Sequence, residues 1–194
     1  MSVALEDHPE QRLMCVDSNG TETGKSVDRR SAHSSPGVKH LAIQVIVFDR
    51  KGRVILHERP ARKVGGSVLD SPTTHVIAGE TAEMAARRCL RNEYGIGDPR
   101  LTILGGFSYE KDYGDGSCEN EYLLAAFTVY SGKVAGSAEA PRIIRIGEGE
   151  MARGLISNPG RYSAWIGGTY RIVSACRKGA RAPSIGQDRI EGAK

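Results

Sequence analysis

Along residues 40–59, "HLAIQVIVFDRKGRVILHER", two β-branched apolar runs flank the polar turn Asp49, Arg50, Lys51, Gly52, a pattern that predicts a β-hairpin. Upstream, "LMCVDSNGTETGKSV" (13–27) reads as a strand, a turn carried by Asn19 and Gly20, and a returning strand. A Gly- and Pro-rich loop with cations, "PARKVGGSVLDSP" (60–72), leads to a short apolar strand, "TTHVIA" (73–78), and then to a helix over 79–96. Residues 101–109 and 119–130 read as strands separated by the polar loop "EKDYGDGSC", and "RIIRI" (142–146) adds another. Apolar spacing near 3.6 residues predicts closing helices over 148–157 and 161–178. The order is mixed rather than alternating, so the expected fold class is an α/β sandwich, with helices flanking a largely antiparallel or mixed sheet.

At 194 residues the chain is sized for one domain, expected over 13–177, with disordered tails at 1–12 and 178–194. Hydrophobic residues make up 39%, and no apolar run approaches the length of a membrane span. The opening "MSVALEDHPEQR" is acidic and polar rather than basic then apolar, so a cytoplasmic location is expected. Cys15, Cys89, Cys118 and Cys176 form no CxxC pair and suggest neither a zinc cage nor a disulfide framework. A net charge of +4, partly in the C-terminal tail, does not point to a nucleic-acid partner, whereas basic residues in the body suit a phosphate ester. The oligomeric state is left open by the sequence.

The helix "GETAEMAARRCLRNEYGI" carries acids at its start and Glu93 near its end, as a helix that helps hold a divalent cation would. His33 and His40 flank "SSPGVK", His75 sits in the strand feeding that helix, and Glu119 and Glu121 are two apart on one face of a strand. Three imidazoles and two carboxylates form a mixed N/O set suited to Zn²⁺, Mn²⁺ or Mg²⁺. Singly, each has a plainer reading: a strand cap, a satisfied core histidine, a solvated strand start.

The helix resembles the signature of Nudix hydrolases at Glu80, Arg88, Leu90, Glu93, Gly95 and Ile96, while Thr74, Cys89 and Asn92 depart from it. From about residue 13 to 170 the chain resembles type I isopentenyl-diphosphate delta-isomerases, on His33, His40, His75, Glu119, Glu121, Tyr109 and Trp165. The resemblance implies a Nudix-type α/β/α sandwich and a small-molecule isoprenoid diphosphate substrate. It implies one metal at the three histidines and Glu119/Glu121, and Mg²⁺ held by Glu93 with the substrate diphosphate. It further implies Glu121 as proton shuttle tuned by Tyr109, Trp165 as a π face for a carbocation, and Arg29, Arg59 and Lys63 as diphosphate-binding cations.

Thr73 stands where that family has a catalytic cysteine, and "VGGSVLD" replaces its aromatic-rich stretch. A threonine hydroxyl is a far weaker acid or base than a thiol, and smaller residues open the pocket. Three activities follow as expectations: isomerisation with water or a Thr73 network replacing the thiol, protonation-initiated cyclisation, or residual hydrolysis or simple binding of a prenyl diphosphate.

Overall fold

The structure, a computed structural model, describes residues 8, 10–63 and 65–179. Most of the two tails expected at 1–12 and 178–194 lies outside the described residues, although Arg12 already pairs with Asp28. The elements run β1 (Arg12–Val16), β2 (Glu22–Asp28), α1 (Arg29–Ala32), β3 (His40–Phe48), β4 (Val54–Glu58), β5 (Leu69–Asp70), β6 (Thr73–His75), α2 (Ala82–Tyr94), β7 (Thr102–Asp112), β8 (Cys118–Val129), β9 (Ile143–Ile146), α3 (Glu148–Ser157) and α4 (Ile166–Arg177).

β3 is buried at every position, which is what a continuous apolar run does when both sheet faces are covered. Ala42, Ile46 and Phe48 pack with residues of α3 and α4 on one face. Leu41, Ile43, Val45 and Val47 pack on the other with Ala85, Ala86, Leu90 and Tyr94 of α2. The result is the expected α/β sandwich with a mixed sheet: β3 runs parallel to β8 and antiparallel to β4 and β6, and β7 adds to β8. Among the described residues no helix is long and apolar enough to cross a membrane.

α2 is bounded by local chemistry: the Thr81 hydroxyl accepts from the Met84 N–H, and Gly95 closes it at φ 68°. Its buried face includes Glu93, a carboxylate among Ala86, Leu90 and Tyr94.

Two expectations need correction. The closing helix starts at Ile166 rather than 161, because Tyr162 is extended and bridges Leu69 while the Ser163 N–H donates to the Leu69 carbonyl. Pairing with β5 overrides helical spacing there, and Trp165 becomes the N-cap of α4 instead of an interior residue. The loop expected over 110–118 is shorter, since β7 extends to Asp112 and β8 begins at Cys118. α1 was not foreseen: one turn is too short for periodicity, and its signal is the Asp28 cap on Ser31.

Candidate active site

Strand register assembles the site. On β3, β8 and β7, His40 pairs with Glu121 and Glu121 with Tyr109, a row across three neighbouring strands. On β6, His75 lies opposite Ala42 and Thr73 opposite Gln44, so alternation sends Thr73 and His75 to one face. His33 caps α1 and is tied to the start of β8: its carbonyl accepts from the Cys118 N–H at 3.0 Å, and its Nδ1 lies 3.0 Å from the Cys118 carbonyl.

The three imidazole centroids lie 4.8 to 5.0 Å apart, a nearly equilateral triangle. One nitrogen from each ring and one oxygen of Glu121 fall within 4.8 Å of one another. His40 Nδ1 donates to the Val38 carbonyl at 2.8 Å, leaving a buried Nε2 lone pair with no hydrogen-bond partner. That lone pair faces Glu121 Oε1 at 3.4 Å. Two electron-rich atoms held face to face in a buried place are the donor set of a cation, so these residues fit a divalent metal.

Glu119 stands behind this set rather than in it, with Oε2 3.1 Å from His33 Nδ1. Such a contact orients a ligating imidazole. Burial acts to lower the His33 pKa, but the hydrogen bond and charge of Glu119 outweigh it and the net shift is upward. His75 is held differently. Arg29 Nη1 lies 3.0 Å from its Nδ1, and a guanidinium can only donate, so a neutral His75 carries its proton on Nε2, facing Glu121 Oε1 at 3.1 Å. Ligation through Nε2 would send that proton to Nδ1 and displace Arg29.

Burial pushes the Glu121 carboxyl upward, yet the neighbouring imidazoles of His40 and His75 hold it well below the usual range. The Tyr109 hydroxyl donates to Glu121 Oε2 at 2.5 Å, and burial followed by the Glu121 charge raises the Tyr109 pKa well above normal.

These groups line a cavity of about 500 Å³, with Thr73, Thr74, Glu93 and Trp165 also in its wall and Arg29, Arg30, Arg59, Arg62 and Lys63 around it. Every site residue singled out in the sequence therefore reaches one cavity, except His40, which lies fully buried in the His/Glu cluster beneath it. Arg59 holds Asp70 at 3.3 Å, and its guanidinium lies 5.0 Å from the Trp165 ring centroid. Thr73 donates to the Ser71 carbonyl at 2.7 Å and accepts from Gln44 Nε2 at 2.9 Å, so its proton is committed away from a substrate.

Sequence reasoning missed Arg30, Arg62, Gln44, Asp70 and His57. Gln44 carried a signal, a lone amide in an apolar strand, and it donates to the fully buried Asp70 at 2.8 Å. His57 Nδ1 meets the Tyr94 hydroxyl at 3.2 Å, and its Nε2 lies 4.0 Å from Glu93 Oε2. Burial lowers the His57 pKa to about 3, helped by the charges of Arg59 and Lys63.

The fold and the cluster define a Nudix protein, and the NUDIX domain family matches residues 38–148. A solved structure, DR0079 from Deinococcus radiodurans, is alike in fold at a TM-score of 0.65 and 14% identity, covering 83% of this chain and 98% of that one. Isopentenyl-diphosphate Delta-isomerase 2 of Aromatoleum aromaticum is 30% identical over 91% of this chain and 96% of its own length. Isopentenyl-diphosphate Delta-isomerase 1 of the same organism is 33% identical over 87% of this chain and 96% of its own. The chain belongs to the type I isopentenyl-diphosphate Delta-isomerase family, isomerase-type enzymes of the Nudix superfamily.

Proposed function

We propose that this cavity moves the double bond of an isoprenoid diphosphate by protonation and deprotonation. The observation that carries the reading is the Tyr109 to Glu121 hydrogen bond of 2.5 Å at the edge of the His/Glu cluster. Bond migration needs a proton delivered to the terminal carbon of the double bond and another taken from the carbon on its far side, with tertiary cation character between. Glu121, a carboxylate at rest that accepts from Tyr109, takes up a proton from solvent and delivers it to the double bond, while the Tyr109 hydroxyl orients it. Because the Thr73 proton is donated to Ser71, the second transfer also falls to the Glu121 and Tyr109 side. Trp165 lends a π face to the developing cation.

A divalent ion (Zn²⁺, Mn²⁺ or Mg²⁺) at His33, His40, His75 and Glu121, with Glu119 behind, would supply positive charge that tunes the Glu121 proton. Glu93, buried in the cavity wall, would help hold Mg²⁺ on the diphosphate. Arg29, Arg59 and Lys63, with Arg30 and Arg62, bind the diphosphate oxygens. Relatives named as isomerases support isomerisation over the cyclisation alternative.

The test is incubation with isopentenyl diphosphate and Mg²⁺ in deuterated water, read by NMR and mass spectrometry. Deuterium-bearing dimethylallyl diphosphate is the expected product. Release of phosphate or pyrophosphate without isomerisation would overturn the reading in favour of hydrolysis.

A further inference from the structure

Two carboxylates outside the His/Glu cluster hold the cavity's cations, and they do so in contrasting ways. Asp70 is fully buried and accepts from Gln44 Nε2, the Ser71 N–H and the Ser163 hydroxyl at 2.8 Å each, so it is a fixed anchor for Arg59. Glu139, in the connection between β8 and β9, offers one oxygen to each of two cations: Oε1 to Arg62 Nη2 and Oε2 to Lys63 Nζ. Both cations line the cavity.

The backbone that carries this carboxylate is the fixed part of the trio. Ser137 Oγ accepts from the backbone N–H groups of Glu139 and Ala140 at 3.2 Å, and the Ser137 and Ala140 backbones pair at 3.1 Å. Arg62 and Lys63 reach it on long flexible stems. Arg62 is also held by the Ala138 carbonyl, to which both its terminal nitrogens donate at 3.2 Å, so its placement does not rest on Glu139 alone. Two anionic oxygens bridging a guanidinium and an ammonium are what a diphosphate would present to the same pair.

We infer that Glu139 is an internal competitor of the diphosphate: it occupies Arg62 and Lys63 until substrate phosphate oxygens take them over, and so sets substrate affinity. This rests on the diphosphate reading given under Proposed function. Arg62 and Lys63 then contribute to binding only the difference between their contacts with substrate and with Glu139. Arg59, whose Asp70 anchor is inside the protein, keeps its partner when substrate arrives.

The test is calorimetric titration of the full chain with inorganic pyrophosphate in the presence of Mg²⁺. Glu139→Gln, which keeps the shape and removes the charge, should tighten binding about five- to tenfold, the size expected when two solvent-screened ion pairs are released. Glu139→Asp, which keeps the charge, should stay within about twofold of wild type on the same scale. In an Arg62→Met, Lys63→Met background the gain from Glu139→Gln should vanish. Unchanged or weaker binding by Glu139→Gln would overturn the competitor while leaving the diphosphate site intact. An equal gain in the doubly substituted background would also overturn it, since remote charge would then account for the effect. Absence of pyrophosphate binding by wild type and Glu139→Gln alike would remove the diphosphate site itself, and the competitor with it.

Discussion

At the cavity floor Glu121 and Tyr109, with His40 just beneath, stand side by side on three hydrogen-bonded strands, whereas on the other side Arg59, Arg62 and Lys63 form a cationic mouth along the connection from β4 to β5. The floor is positioned by sheet register and backbone carbonyls, which leave its side chains little freedom. The mouth is positioned by ion pairs to Asp70 and Glu139. Rigid strands suit groups that must meet a reacting carbon within a fraction of an ångström, and flexible cations suit a diphosphate, which tolerates several geometries. Damage to the floor should therefore appear in kcat, and damage to the mouth in KM.

The largest effect is expected on the floor. Glu121→Gln keeps the shape of the row but cannot give a proton, and should lower kcat by about 10³-fold or more with pyrophosphate affinity nearly unchanged. His40→Ala should cost a similar factor and also release the bound metal, read as metal content after gel filtration. Turnover surviving Glu121→Gln would break the assignment of the floor as the chemical region.

At the mouth, Arg59→Met should raise KM by about 10- to 100-fold, the loss of one charge-assisted contact, with a smaller change in kcat. An effect mainly on kcat would mean that Arg59 acts through its position over Trp165 rather than on the diphosphate.

His57 sharpens the comparison because it lies where the two regions meet, on β4 between Glu93 and the cationic connection. Unfolded, it takes a proton near pH 6.5; folded, it stays neutral down to about 3. The unfolded state thus binds more protons between these values, and stability falls as pH falls. From pH 7 to 5 this single group should cost about 2 kcal/mol. Urea unfolding of wild type and His57→Gln at both pH values should show that much less acid sensitivity in the variant; equal sensitivity would mean that folded His57 is already charged.

The floor was also the more legible region. His40 in an apolar run, Glu119 and Glu121 at a spacing of two, and His75 before a helix with recognisable caps each carry a local signal, because strands and helices turn sequence spacing into shared faces. Register was not legible, and it decides that Glu121 enters the cluster while Glu119 backs His33. At the mouth Arg59 and Lys63 could be named from resemblance, but their partners could not. Glu139 lies more than seventy residues from Arg62 and Lys63 in sequence, and Asp70 lies near the end of a Gly- and Pro-rich stretch that gives no sign of the Gln44, Ser163 and Arg59 contacts closing around it. Long-range ion pairs leave no periodic trace in a sequence.

Thr73 gives the smallest expected effect and tests the floor most finely. It faces the cavity from β6, two residues before His75, yet its hydroxyl is spent on Ser71 and Gln44. Thr73→Cys exchanges that hydroxyl for a thiol, which hydrogen-bonds weakly to the same partners and ionises within reach of neutral pH. Isomerisation should rise, by less than about tenfold, because a second proton-transfer group would then share work that otherwise falls to Glu121 and Tyr109. The gain should grow with pH as the thiolate fraction rises, a dependence that a mere change of packing would not give. No gain in a folded, metal-loaded variant would mean that substrate no longer lies between β6 and β8, and that the glycines of the 60–72 loop have moved its binding pose away from the Thr73 face.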